Sequence, residues 1–261
     1  MWDPQQYLHF AGERSRPFFE LAGRVRAQRP RRVADLGCGP GQLTATLAAR
    51  WPGAEVTGID SSAEMIETAR SEPVPAGADP GQLRFERADA WDWHPAEQPD
   101  VIISNALLQW IPDHLPLLRR WAALLPPSGW LAFQVPANFD QPSHVILREL
   151  AGSDRWRPLL GGVQLNRQSA DPAQYLQVLA AAGCLVDAWE TTYLHVLHGT
   201  DPVLDWYKGT GLRPVLTALP ADQASEFLAE YGARLRAAYP AQPHGTVLPF
   251  RRVFVVAQRE G

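Results

Sequence analysis

Along the chain, apolar positions repeat either every second residue or every three to four, and the changes of period mark out the elements. Residues 16–27 set Phe18, Leu21, Ala22 and Val25 on one face, which predicts an amphipathic helix. Arg32-Val33-Ala34-Asp35-Leu36 is a short apolar run with an acid near its end, a buried strand, and Gln42 opens a helix after a glycine-rich turn. Residues 54–60 form a second strand ending in Asp60, and Ser61-Ser62-Ala63-Glu64-Met65 reads as a serine-capped helix start with an early acid. Prolines and glycines make 71–81 a surface loop, after which 83–87 alternate as a strand. Residues 100–105 are a strand buried on both faces, and 130–135 are another. Between them, from about Pro112, Leu115, Leu118, Trp121, Ala122 and Leu125 share a helical stripe that Pro126-Pro127-Ser128-Gly129 stops.

Strands and helices that alternate in this way predict an α/β fold: a Rossmann-like, doubly wound, mostly parallel sheet. The regularity breaks after Val135. Residues 138–169 carry Gly161-Gly162 and several prolines and read as an inserted loop or cap. Asp171-Pro172 then starts a helix that Gly183 closes, 184–196 are a sixth strand, Asp201-Pro202 start a helix through Trp206-Tyr207, a further helix covers 222–239, and 248–257 are a terminal strand. Seven strands result. The expected organisation is a single domain over 1–261, with 1–30 as a leading lid and helix and with 138–170 and 199–246 as insertions forming a helical cap over the substrate.

Composition narrows the function classes. The chain has 261 residues, 46% hydrophobic and 20% charged, enough to bury a sizeable core. A net charge of −4 argues against a nucleic-acid partner or an anionic membrane surface, and no apolar run is long enough to span a bilayer. The absence of an apolar leading segment points to the cytoplasm. The two cysteines, Cys38 and Cys184, make no disulfide framework, and Cys38 falls in the glycine turn as a small apolar filler. Lys208 is the only lysine.

Chemistry concentrates in the turn Asp35-Leu36-Gly37-Cys38-Gly39-Pro40-Gly41. The glycines let the backbone approach a ligand, and the helix behind them points its free N–H groups at the loop. The spacing is not that of a dinucleotide site, and an acid two residues ahead of the first glycine suits a cationic amine better than a phosphate. The stretch resembles the D-x-G-x-G-x-G signature of class I S-adenosylmethionine-dependent methyltransferases. On that resemblance Asp35, Gly37, Cys38, Gly39 and Gly41 cradle S-adenosyl-L-methionine. Asp60, about 20 residues on, with Ser61, takes the ribose hydroxyls. Asp89 takes the adenine amino group, Met65 and Ala90 pack the ring, and Asn105 and Ala106 line the sulfonium-methyl end. Read without a ligand, each acid is a helix cap or turn residue. The candidate polar groups all fall at or just after predicted strand ends, the edge where such sheets bind ligands. Trp110 and Phe133 supply the low-polarity surroundings that favour a charge-dispersing transfer.

No side chain is expected to act as a general base. A carboxylate acceptor is already ionised at neutral pH, and the seven histidines form no base or metal constellation, His195-x-x-His198 being packing or surface.

Further stretches resemble the trans-aconitate 2-methyltransferase family: Trp2-Asp3-Pro4-x-x-Tyr7-Leu8, Glu13-Arg14-x-Arg16-Pro17, Ser104-Asn105-Ala106-Leu107-Leu108-Gln109-Trp110, Trp206-Tyr207-Lys208-Gly209-Thr210-Gly211-Leu212-Arg213-Pro214, and 248–257 with Arg251-Arg252. The resemblance implies methylation of one carboxylate of trans-aconitate to its monomethyl ester, with S-adenosyl-L-homocysteine as by-product, in the cytoplasm and without a metal. It assigns the acid to Tyr7, Gln134, Trp206, Tyr207, Lys208, Thr210, Arg213, Arg251 and Arg252. Tyr7 and Arg14 either close over the cofactor's carboxylate or pack the leading segment. The Gly209-Thr210-Gly211 turn could form an anion nest of backbone N–H groups between Lys208 and Arg213, and one of Arg251 and Arg252 should point inward by strand alternation. Alternatively the glycines only cap a helix and the arginines are solvated. Two rivals stay open: a malonyl-carrier-protein O-methyltransferase, whose Ser-Asn-x-x-x-Gln-Trp segment is similar, and a non-catalytic sensor of S-adenosylmethionine. The partner is a small tricarboxylic acid, and the oligomeric state is left open.

Overall fold

A computed structural model of the chain describes residues 11–73, 79–165 and 168–261, without the side chains of residues 11, 13, 14 and 80. In chain order the elements are α1 (Ala11–Arg24), β1 (Arg32–Leu36), α2 (Gln42–Arg50), β2 (Glu55–Asp60), α3 (Ala63–Ser71), β3 (Leu83–Arg87), β4 (Val101–Asn105), α4 (Leu115–Leu124) and β5 (Trp130–Pro136). There follow α5 (Pro142–Ala151), α6 (Arg157–Leu160), α7 (Pro172–Ala180), β6 (Cys184–Leu197), α8 (Pro202–Lys208), α9 (Arg213–Ala218), α10 (Ala221–Ala238) and β7 (Thr246–Arg259). The chain divides into two compact units.

One unit comprises Ser15–Val135, Ser169–Glu190 and Val253–Gly261 and contains β1 to β5 with the first half of β6 and the second half of β7; the strand order in the sheet is β3-β2-β1-β4-β5-β7-β6. From β3 to β5 every neighbouring pair is parallel. Strands buried on both faces need continuous apolar runs, and Val33, Val56, Ile59, Val101, Ile102, Ile103, Leu131 and Phe133 are all buried. Local sequence sets the helix starts. The Ser62 side chain accepts from the Met65 N–H at the start of α3, and Asp171 and Gln174 form a reciprocal capping box at the start of α7. Gly183 ends the turn after α7 with a φ of 78°. Tyr175 of α7 packs edge-on to Phe133 and shares a hydrogen bond with His114.

Among the described residues, the other unit comprises 11–14, 136–165, Gln168 and Thr191–Arg252. Residues 138–169, read from sequence as an irregular insertion, carry two helices, α5 and α6, and 213–218 form α9, a helix the sequence reading did not separate from the preceding turn. The core of this unit is its own: Leu147, Leu150, Trp156, Trp206, Tyr207, Phe227 and Tyr231 bury together. Its helices carry proline in the first turn at Pro142, Pro202 and Pro214, where no intrahelical N–H is lost.

Candidate functional site

The parallel strands end along one edge. Register places Leu36 beside Ile59 and Ser104, Asp60 beside Arg87, and Asn105 beside Gln134. The chain runs outward from β1 to β2 and β3, then returns to lay β4 on the other side of β1, so the loops after β1 and β4 diverge. That crevice is where doubly wound sheets take ligands.

The loop after β1 is shaped by three glycines with φ of 78° at Gly37, 55° at Gly39 and 82° at Gly41. Their reasons differ. A Cβ on Gly37 would lie 2.8 Å from the Leu107 side chain, and one on Gly41 would lie 2.7 Å from Ala69 and from the Phe85 ring. A Cβ on Gly39 would meet nothing within 4 Å. Packing thus demands the outer two, whereas the middle one faces open space, the backbone cradle that a closely approaching ligand requires. The N–H groups of Gly37 and Cys38 both donate to the Ile59 carbonyl, at 2.8 and 3.0 Å, which ties the loop to the end of β2. There Asp60 accepts from the Gly39 N–H at 3.0 Å through one oxygen and from the Ser62 N–H at 2.9 Å through the other. Each oxygen keeps a lone pair for a hydroxyl donor.

Beneath the loop Asp35 is buried, and its Oδ2 accepts from the Thr44 hydroxyl at 2.6 Å while Oδ1 has no partner among the described residues. Burial pushes the Asp35 carboxyl up to about 7; the Thr44 bond opposes the rise and the Asp60 charge adds to it. A cation brought to this spot would favour its ionised form. The Cys38 thiol is also pushed up, first by burial and then by the charges of Asp35 and Asp60, so it stays neutral.

The loop after β4 is built by its own polar residues. Ser104 donates to the Leu36 carbonyl at 2.9 Å, and Gln134 donates to Asn105 Oδ1 at 2.6 Å. Ala106 takes a φ of 56°, a left-handed conformation costly for a residue with a Cβ, and Gln109 Nε2 holds its carbonyl at 2.5 Å. Thr44, Ser104 and Gln109 were not singled out from sequence for these tasks. The available signal was a polar residue within an otherwise apolar stretch, as Ser104 is after Val101-Ile102-Ile103. Gln134, expected on the substrate side, lies with Asn105 in this unit. Asp89 is exposed and accepts from the Trp91 N–H, Ala90 is buried beside it, Ser61 is exposed, Met65 is half-buried, and Trp110 is 50% exposed.

The remaining expected residues fall in the other unit or outside the described residues. Tyr7 and the Arg14 side chain lie outside them. Trp206 and Tyr207 are core side chains, each 2% exposed. Trp206 stacks on His195 at 4.8 Å, so His195 is a packed aromatic there. The anion nest expected at 209–211 is not what the backbone forms: the N–H groups of Thr210 and Leu212 both turn inward and donate to the Tyr207 carbonyl at 3.0 Å. The Thr210 hydroxyl donates to the Trp206 carbonyl, and Lys208 Nζ pairs with Asp205 at 2.8 Å. Arg213 is half-buried. Along β7 alternation buries Arg252, whose guanidinium lies 4.7 Å over the Phe250 ring, and leaves Arg251 half-buried. Among the described residues no group of three or more His, Cys, Asp or Glu is placed to hold a metal, and no helix is long and apolar enough to cross a membrane.

The profile of the methyltransferase domain family matches residues 7–186. Among solved structures, a putative methyltransferase from Bacillus halodurans superposes with a TM-score of 0.59 at 14% identity, over 93% of this chain and 98% of that one. Phosphoethanolamine N-methyltransferase 2 of Haemonchus contortus, in complex with S-adenosyl-L-methionine, superposes with a TM-score of 0.55 at 14% identity over 94% of this chain and 53% of its own. These likenesses concern the fold, that of class I methyltransferases. In sequence, the trans-aconitate 2-methyltransferase of Streptomyces avermitilis is 54% identical over 99% of this chain and 97% of that protein. The agreement spans both units, and with it the chain belongs to the trans-aconitate 2-methyltransferase family.

Proposed function

We propose that the protein transfers a methyl group from S-adenosyl-L-methionine to one carboxylate of trans-aconitate, releasing the monomethyl ester and S-adenosyl-L-homocysteine. The observation that carries the cofactor half is the open space over Gly39 beside the Asp60 carboxylate, at the crevice between β1 and β4. The acceptor half is supported by membership of the family.

When bound, the cofactor supplies an electrophilic methyl on a cationic sulfur. Asp60 accepts from the ribose hydroxyls with the lone pairs its backbone bonds leave free. The backbone of Gly37, Gly39 and Gly41 lies against the adenosyl and amino-acid portions, and Asp35 below them answers the positive charge. Asp89, Ala90 and Met65 take the adenine ring. Asn105 and Ala106, fixed by Gln134 and Gln109, face the reacting end. Lys208, Arg213, Arg251 and Arg252 hold the acid, arginine gripping carboxylates through two parallel N–H bonds. The acid arrives ionised, so no side chain has to remove a proton. The work of the protein is alignment and exclusion of water, and alignment alone can supply about 7–11 kcal/mol.

The test is incubation with labelled methyl donor and a panel of di- and tricarboxylic acids, followed by identification of the labelled ester. The expected product is the trans-aconitate monomethyl ester. Tight binding of S-adenosyl-L-homocysteine with no ester from any acid would establish a sensor instead.

A further inference from the structure

Tyr207 stands at the centre of the turn that separates Lys208 from Arg213. Its carbonyl accepts from the N–H groups of Thr210 and Leu212, both at 3.0 Å, so the main chain of the turn folds back onto this one residue. Its ring packs against the turn from the other side: a Cβ on Gly211 would lie 3.1 Å from Tyr207 Cδ1, a tight contact that glycine avoids. Its hydroxyl shares a bond of 2.7 Å with Ser143 Oγ and accepts from Asn138 Nδ2 at 3.1 Å. Ser143 and Asn138 are completely buried. Ser143 is itself held at both main-chain ends, its N–H donating to the Tyr239 hydroxyl at 3.1 Å and its carbonyl accepting from the Tyr231 hydroxyl at 2.8 Å.

Two features set this tether apart from ordinary core packing. Asn138 keeps its Oδ1 buried without a partner among the described residues, a cost that an apolar side chain of the same shape would avoid. The group it holds is the residue next to the chain's only lysine, at the end of a helix of seven residues that is too short to be rigid on its own. Burial raises the Tyr207 hydroxyl far above neutral, so it keeps its proton for the network.

We propose that Tyr207 is a positioning residue for recognition of the acid: tethered by Ser143 and Asn138, it fixes the 208–213 turn and so the spacing of Lys208 and Arg213 with which the protein takes carboxylates. It touches no substrate. The proposal rests on the function proposed above, and Ser143 and Asn138 join the acid-binding apparatus through it.

The experiment compares Tyr207→Phe with Tyr231→Phe. Each removes one buried hydroxyl bonded to Ser143, but only the first releases the turn. Tyr207→Phe should raise the KM for trans-aconitate at least about fivefold, the effect expected when one buried hydrogen bond is lost, and leave the KM for S-adenosyl-L-methionine within about twofold. Hydrogen exchange at the Thr210 and Leu212 amides should quicken in Tyr207→Phe and stay at the wild-type rate in Tyr231→Phe, with thermal scans confirming that both variants fold. A shift in acid KM no larger than that of Tyr231→Phe overturns the proposal, as does unchanged exchange in the turn, or an equal rise in both KM values. A wild-type protein that methylates no acid removes the functional reading and this inference together. An active wild type with an indifferent Tyr207→Phe removes this inference alone.

Discussion

Asp60 and Asp35 are both carboxylates at the ends of neighbouring strands, and their surroundings give them different tasks. Asp60 is half-exposed and accepts from two backbone N–H groups, bonds through which it orders the loop. Replacing it by alanine should weaken binding of S-adenosyl-L-homocysteine by about 2 kcal/mol, roughly 30-fold, the worth of hydrogen bonds to a charged group. Titration calorimetry reads this directly, and the KM for the acid should move far less. Asp35 is buried with one oxygen satisfied by Thr44, and its carboxyl is pushed up to about 7. An acid whose pKa is raised on folding binds protons more tightly in the native state. Its favourable contribution is therefore complete below the ordinary carboxylate range and is lost as pH rises towards 7. Asp35→Asn should flatten this fall in the ligand-free protein, seen as a smaller loss of Tm between pH 5 and 8 than in the wild type. A cationic cofactor reverses the preference, and wild-type binding should tighten as pH rises through about 7.

The loop after β1 separates packing from binding within a few residues. Gly41→Ala drives a Cβ into Ala69 and Phe85, and the backbone conformation adds about 1–2 kcal/mol of its own. It should lower Tm sharply and carry binding down with it. Gly39→Ala bears only the conformational cost, because its Cβ meets nothing, yet that Cβ fills the space the ligand needs. It should keep most of its Tm and lose cofactor affinity, a contrast that thermal scans with and without S-adenosyl-L-homocysteine would reveal. The same elements show what the sequence makes legible. Strands of the sheet announce themselves by unbroken apolar runs, and the carboxylates and glycines at their ends follow, so the positions of these residues along the edge could be read from the sequence. The turn at 209–211 could not: an aromatic beside a glycine turn reads the same whether it faces a ligand or a core, and Trp206 and Tyr207 face the core. The direction of the Thr210 and Leu212 amides, inward onto Tyr207, is likewise a matter of three-dimensional folding. The helices α6 and α9 are too short for a periodic signal, with four and six residues.

At the scale of the whole molecule, the residues proposed for the cofactor and the basic residues proposed for the acid belong to different compact units. Hydrogen exchange should therefore give two separate footprints. S-adenosyl-L-homocysteine should protect amides at 37–41, 60–62 and 105–106, and trans-aconitate those at 208–213 and 251–252. No added protection at 208–213 and 251–252 with trans-aconitate would contradict the assignment of the basic residues to the acid. Neither unit is a continuous piece of sequence, for the chain passes between them at residues 14, 135, 168, 190 and 252.

The position of β7 has a consequence for biosynthesis. It lies between β5 and β6, both of which precede it in the chain. While the ribosome is still adding residues 246–259, β6 has no neighbour to join and the slot beside β5 stands empty. A nascent chain stalled short of Thr246 should thus leave β6 undocked, however long it waits, and the sheet can close only after Arg259 has emerged from the exit tunnel.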